Sequence, residues 1–205
     1  MQAEAFDYVS LPDLPPSFPK RGNVLGRVLG RFVHFLIGWR IEGNFPDTPK
    51  VVMVAAPHTS NWDAIVGLSA ALQLGLDVHF FVKREAFKPP LGWVLKALGG
   101  IPVQRDAAAG VVGSAIRAFK TEDTFLLGIT PEGTRSRRSR WKTGFHRIAT
   151  EANVPIVLIA LDYGRKVIGP IATFYPSDLP SDLKRIASHF ENVRGKNPEN
   201  ETPAV

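Results

Sequence analysis

Apolar runs of five or six residues recur along the chain, each closed by a polar turn and separated from the next by a stretch of helical character. Val51-Val52-Met53-Val54-Ala55-Ala56, Val78-His79-Phe80-Phe81-Val82, Thr124-Phe125-Leu126-Leu127-Gly128-Ile129 and Ile156-Val157-Leu158-Ile159-Ala160-Leu161 are short and rich in branched and aromatic residues, the pattern of strands buried on both faces. Ile101-Pro102-Val103-Gln104 and Lys166-Val167-Ile168 read as further extended segments, and Arg40-Ile41-Glu42 as an edge strand. Between them, Ala64 to Leu72 is too long and too uniformly apolar for a strand and predicts a buried helix beginning near Asn61. Pro89–Leu98 predicts a short helix closed by Gly99-Gly100. Asp106 can cap a helix whose stripe is Val111, Ala115 and Phe119, and two more helices are expected over Gly144–Ala152 and Ser181–Val193.

Strand and helix therefore alternate, which predicts an α/β fold: a single layered domain with a mixed, mostly parallel sheet flanked by helices. Residues 40–193 form this domain. Before it, residues 1–22 carry Pro12, Pro15, Pro16 and Pro19 with little periodicity and read as an irregular arm. That arm lacks the basic start and apolar run of a secretory signal. Residues 23–39 pattern as an N-terminal amphipathic helix, with Arg27, Arg31 and His34 at helical spacing among Val24, Leu25, Val28, Leu29, Phe32, Val33, Phe35, Leu36, Ile37 and Trp39. Two arginines in so short a run argue against a transmembrane span. Packing on the core and lying in a membrane surface are both compatible with the pattern. Residues 194–205, rich in Gly, Pro, Asn and Glu, are expected to be a disordered tail.

The chain contains no cysteine, which excludes thiol nucleophiles, disulfides and thiolate zinc sites. A formal charge of +6 at pH 7 suggests a polyanionic partner, whether phospholipid, coenzyme phosphate or nucleic acid.

The ends of the apolar runs carry the candidate chemistry. His58 and Asp63 lie in the turn Pro57-His58-Thr59-Ser60-Asn61-Trp62-Asp63, Lys83 and Arg84 follow Val82, Arg105 follows Gln104, and Glu132-Gly133-Thr134-Arg135 follows Ile129. If these runs are parallel strands, their ends collect in one crevice, the usual position of the site in an open α/β sheet. Ser60 and Asp63 fit a helix-capping box, but the cap leaves the imidazole unexplained. A carboxylate holding one ring nitrogen would free the other to deprotonate a hydroxyl. Glu132-Gly133-Thr134-Arg135 is equally a tight turn with Gly133 at positive φ. Taken together at strand ends, these residues suit transfer of an acyl group to a hydroxyl on a phosphorylated acceptor, with arginine and lysine side chains holding the phosphate.

Here the sequence resembles the glycerolipid acyltransferase family, which includes the lysophosphatidic acid acyltransferases. Its hallmark histidine and aspartate, four residues between them, match His58 and Asp63. Its second block resembles Lys83 through Arg105, with Gly92, Gly99 and Ile101 in order, although many members carry Asn where Pro57 stands. Its third matches Pro131, Glu132, Gly133, Thr134 and Arg135, followed by Lys142 and Gly144, and its fourth resembles Val154-Pro155-Ile156.

The resemblance implies that His58 is the general base and Asp63 its partner. Glu132, Gly133, Thr134 and Arg135, with Lys83, Arg84, Arg105 and Lys142, would then form the substrate site. It also implies a donor that is a substrate rather than a cofactor, either acyl-CoA or acyl carrier protein, and a lysophospholipid acceptor, 1-acylglycerol-3-phosphate first. No metal and no nucleic acid are expected, and the enzyme is expected to sit peripherally on the cytoplasmic face of a membrane. The alternatives are another lyso-lipid or amino-lipid acceptor, or a non-enzymatic basic module binding anionic membrane or nucleic acid.

Overall fold

The computed structural model describes residues 11–22, 24–103 and 108–205. In chain order the elements are α1 (Val24–Ile37), β1 (Arg40–Ile41), β2 (Lys50–Ala56), α2 (Trp62–Leu74), β3 (Val78–Lys83), α3 (Leu91–Ala97), β4 (Gly100–Val103), α4 (Ala108–Thr121), β5 (Phe125–Ile129), α5 (Gly144–Ala152), β6 (Ile156–Asp162), β7 (Val167–Phe174) and α6 (Leu179–Phe190). The strands form one sheet in the order β1-β7-β6-β2-β5-β3-β4. Strands β6, β2, β5, β3 and β4 are mutually parallel, so the α/β expectation holds. Strand β7 runs antiparallel to β6 because only residues 163–166 join them, too few for the crossover that a parallel pair needs.

Strand β2 is central and apolar throughout because both its faces are covered. Val52, Val54 and Ala56 pack with Phe119, Phe145, Ile148 and Ile186 of α4, α5 and α6. Val51 and Met53 point the other way, to Val66, Ala70 and Leu74 of α2 and to Trp39. Helix α6 begins two residues earlier than its periodicity predicts. Asp178 caps it by accepting from Ser181 N, with a proline in the first turn.

Helix α1 departs from the ordinary amphipathic arrangement. It lies on α2 through its small and polar residues, with Gly30 and His34 buried and His34 Nε2 donating to Val66 O at 3.1 Å. Its apolar residues face outward: Val24 is 77%, Leu25 75% and Phe35 75% exposed. Gly30 makes this contact possible, since a Cβ there would meet Ser69 O and Gln73 N of α2 at 2.5 Å. Gly30→Ala should therefore push α1 off α2 and destabilise the chain by about 1–3 kcal/mol, seen as a lower thermal midpoint and earlier proteolytic cleavage near α1.

The described part of the N-terminal arm, residues 11–22, is anchored to the domain. Phe18 is buried against Phe45, and Arg21 pairs with Asp77 at 3.2 Å. Residues 194–205 do not behave as the disordered tail that their composition suggests. Trp141 Nε1 donates to Thr202 O, Arg138 N donates to Thr202 Oγ1, and Thr202 and Ala204 are buried. Hydrogen bonds to the backbone and hydroxyl of this segment order it where apolar content would not.

Candidate active site

The parallel strands deliver their C-terminal ends to one edge of the sheet. There β2 runs into Pro57-His58, β5 into Thr130-Pro131-Glu132 and β6 into Tyr163. His58 Nδ1 lies 3.0 Å from Asp63 Oδ2, and because an ionised carboxylate only accepts, the ring donates from Nδ1 and leaves Nε2 free. The same Oδ2 accepts from Thr59 N and Ser60 N, both at 2.8 Å. One oxygen thus contacts both the imidazole and the Ser60 amide, while the N-cap position of α2 is Asn61, which makes no side-chain capping bond. Ser60 Oγ adds a bond from Trp62 N at 3.2 Å.

Asp63 is 4% exposed. Burial alone would raise its pKa, but hydrogen bonds from His58, Tyr163 and Ser60 outweigh it and hold the carboxyl below the usual range. It is therefore a fixed anion beside the imidazole. Its second oxygen, Oδ1, accepts from the hydroxyl of Tyr163 at 2.6 Å. Sequence reasoning missed Tyr163, although it follows an apolar run as His58 and Glu132 do and could have been flagged on that ground.

Glu132, which the resemblance assigns to the acceptor-phosphate site, is brought beside the His58 backbone. It is 2% exposed and turned under the histidine, where Oε1 accepts from His58 N at 2.9 Å. Oε2 has no hydrogen-bond partner among the described residues. Burial raises its pKa from 4.5 to about 7, although the bond from the His58 amide works against the shift. A buried carboxyl group that accepts from a backbone amide is suited to holding the loop. Gly133 takes the positive φ expected of it, 63°. Thr134 Oγ1 accepts from Ser136 N at 3.4 Å within the turn.

Of the cationic candidates, Arg135 comes closest to the dyad's loop, with Nη1 donating to Asn61 Oδ1. The Lys142 side chain lies along Gly133. Lys83 and Arg84 are exposed at the end of β3, two strands from β2. Arg84 borders a cleft lined by Phe81, Ile101, Pro102, Val103 and Val111. Arg105 and Asp106 lie outside the described residues. A second His–carboxylate pair, His146 Nε2 to Asp182 Oδ2 at 2.8 Å, is buried between α5 and α6 and joins those helices. No group of three or more metal-ligating side chains occurs among the described residues.

This edge of the α/β sheet carries a hydrogen-bonded His–Asp pair in which Asp63 is buried and His58 is part-buried. The chain belongs to the acyltransferase family: the family model matches residues 39–162, more than half of its length. The fold is shared with the crystal structure of the 1-acyl-sn-glycerophosphate (LPA) acyltransferase PlsC from Thermotoga maritima, at TM-score 0.58 and 20% identity over 82% of this chain and 75% of that one. No curated protein sequence matches. The family expected from the four sequence blocks is the family found.

Proposed function

We propose that this acyltransferase moves a fatty acyl chain from acyl-CoA or acyl carrier protein to the hydroxyl of a lysophospholipid, 1-acylglycerol-3-phosphate first. The observation that carries the reading is the 3.0 Å bond from His58 Nδ1 to Asp63, which leaves Nε2 as a free base at the sheet edge. The acceptor oxygen attacks the thioester carbonyl carbon as its proton passes to Nε2. Asp63 stabilises the resulting imidazolium. The tetrahedral intermediate then collapses by breaking the C–S bond, and the leaving thiolate takes the proton back from the ring. No enzyme nucleophile and no cofactor are needed.

Arg135, Lys142, Lys83, Arg84 and Arg105 are the cations assigned to the substrate phosphates, with Gly133 and Thr134 shaping the turn that presents Arg135. The Phe81–Ile101–Val111 cleft lies on the same edge, about 10–15 Å from β2 by strand spacing, and offers apolar walls to an acyl chain. The similar PlsC fold is named for an acceptor of this class, which supports the choice.

No helix among the described residues is long and apolar enough to cross a membrane. The outward apolar face of α1 favours peripheral docking, with lipid covering Leu25, Phe32 and Phe35. We place the enzyme on the cytoplasmic face, where acyl thioesters are supplied.

The test is thiol release from long-chain acyl-CoA with and without 1-acylglycerol-3-phosphate, with lipid products identified by mass spectrometry. Acceptor-dependent release with a diacyl product is expected, whereas release without acceptor would make the protein a thioesterase. With the acceptor held in anionic vesicles, Phe32→Asp/Phe35→Asp should weaken vesicle binding about tenfold or more. Unchanged binding would remove α1 from the docking surface.

A further inference from the structure

The aspartate of the dyad has a partner that the motif does not supply. Three donors, His58 Nδ1, Thr59 N and Ser60 N, converge on Asp63 Oδ2, and Oδ1 receives the hydroxyl of Tyr163 at 2.6 Å. A carboxylate held at one oxygen can still swing about its Cβ–Cγ bond. A donor on the other oxygen fixes its plane.

Tyr163 is itself held on two sides. Its ring packs edge-on against the buried Trp39, with centroids 4.8 Å apart, and its amide donates to Arg194 O at 2.8 Å. The segment after Arg194 returns to the loop of the histidine: Asn197 N donates to Thr59 Oγ1 at 3.1 Å and Asn197 Nδ2 to Thr59 O at 2.9 Å. Burial, the bond to Asp63 and the charge of Asp63 all push the phenol upward, so it stays a neutral donor. Nothing about space filling requires the hydroxyl, since phenylalanine has the same ring.

We propose that Tyr163 is a positioning residue of the dyad: its hydroxyl fixes the plane of the Asp63 carboxylate, which keeps the His58 proton on Nδ1 and Nε2 free to accept the proton of the acceptor. Tyr163 touches no substrate and transfers no proton. The assignment rests on the reading of His58 and Asp63 as the catalytic pair.

The experiment compares the full chain with Tyr163→Phe and His58→Ala in acceptor-dependent thiol release. The imidazole ¹⁵N spectrum of the substrate-free protein is recorded in parallel, at a pH where the ring is neutral. In Tyr163→Phe, kcat should fall about 10- to 100-fold with KM for donor and acceptor unchanged. The His58 nitrogens should move from one fixed tautomer toward a mixture of two. The spectrum is read on folded protein, so it separates positioning from loss of fold. Wild-type kcat in Tyr163→Phe, or lowered kcat with the tautomer unchanged, overturns the role of Tyr163 while an inactive His58→Ala leaves the dyad standing. An active His58→Ala overturns both.

Discussion

His58→Ala should lower acceptor-dependent turnover about 10³-fold or more while the protein stays folded. The loss follows from what else meets Asp63 among the described residues: the remaining donors to that carboxylate are two amides and a neutral phenol, none of which accepts a proton. The retained fold follows from what the ring does structurally. Among the described residues it makes one hydrogen bond, to Asp63, which keeps three other donors, and the bond from the His58 amide to Glu132 survives in alanine. Thiol release measured beside a thermal melt checks both halves. Activity within about tenfold of wild type would remove His58 from the mechanism.

Glu132 carries the second large effect. In Glu132→Ala the part-buried His58 amide loses its acceptor, which costs about 1–3 kcal/mol, and the emptied site adds a cavity cost. The loop is then free to shift, and a displacement of about 1 Å at the base is worth about 10²-fold in kcat. Glu132→Gln keeps an acceptor oxygen at the same place and should retain most activity.

The two variants also separate charge from shape. The folded-state pKa of Glu132, about 7, lies above its ordinary 4.5, so in that window the folded chain holds a proton that the unfolded chain has released. Raising the pH from 4.5 through 7 withdraws this proton and lowers wild-type stability by on the order of 3 kcal/mol. Glu132→Gln lacks that slope, so its melting temperature should gain on wild type as pH rises through the window. Parallel pH profiles for the two proteins would show that Glu132 ionises normally.

Much of this site was legible in the sequence because it is local. His58, Ser60 and Asp63 sit within one turn, so their spacing alone brings them together, and the apolar runs before His58 and Glu132 place both at strand ends. Gly133 is legible for the same reason, since its turn needs a positive φ. What escaped was orientation. The spacing of Glu132 puts it in the right turn, but only packing turns its carboxyl group inward to the His58 amide. The pattern of α1 likewise shows two faces without saying which is covered, and a glycine contact settles that.

The sequence by itself determined the alternation of strand and helix, the family, and the His–Asp pair, because the elements, each of the four motif blocks and the pair are all read from residues close together in the chain. Tertiary structure alone decided the strand order and the reversal of β7, the course of residues 194–205, and the two carboxylate contacts that complete the site. The bond from Glu132 to the His58 amide spans 74 residues and that from Tyr163 to Asp63 spans 100. Nothing in local propensity encodes such pairs; they exist because parallel strands far apart in sequence end side by side at one edge of the sheet.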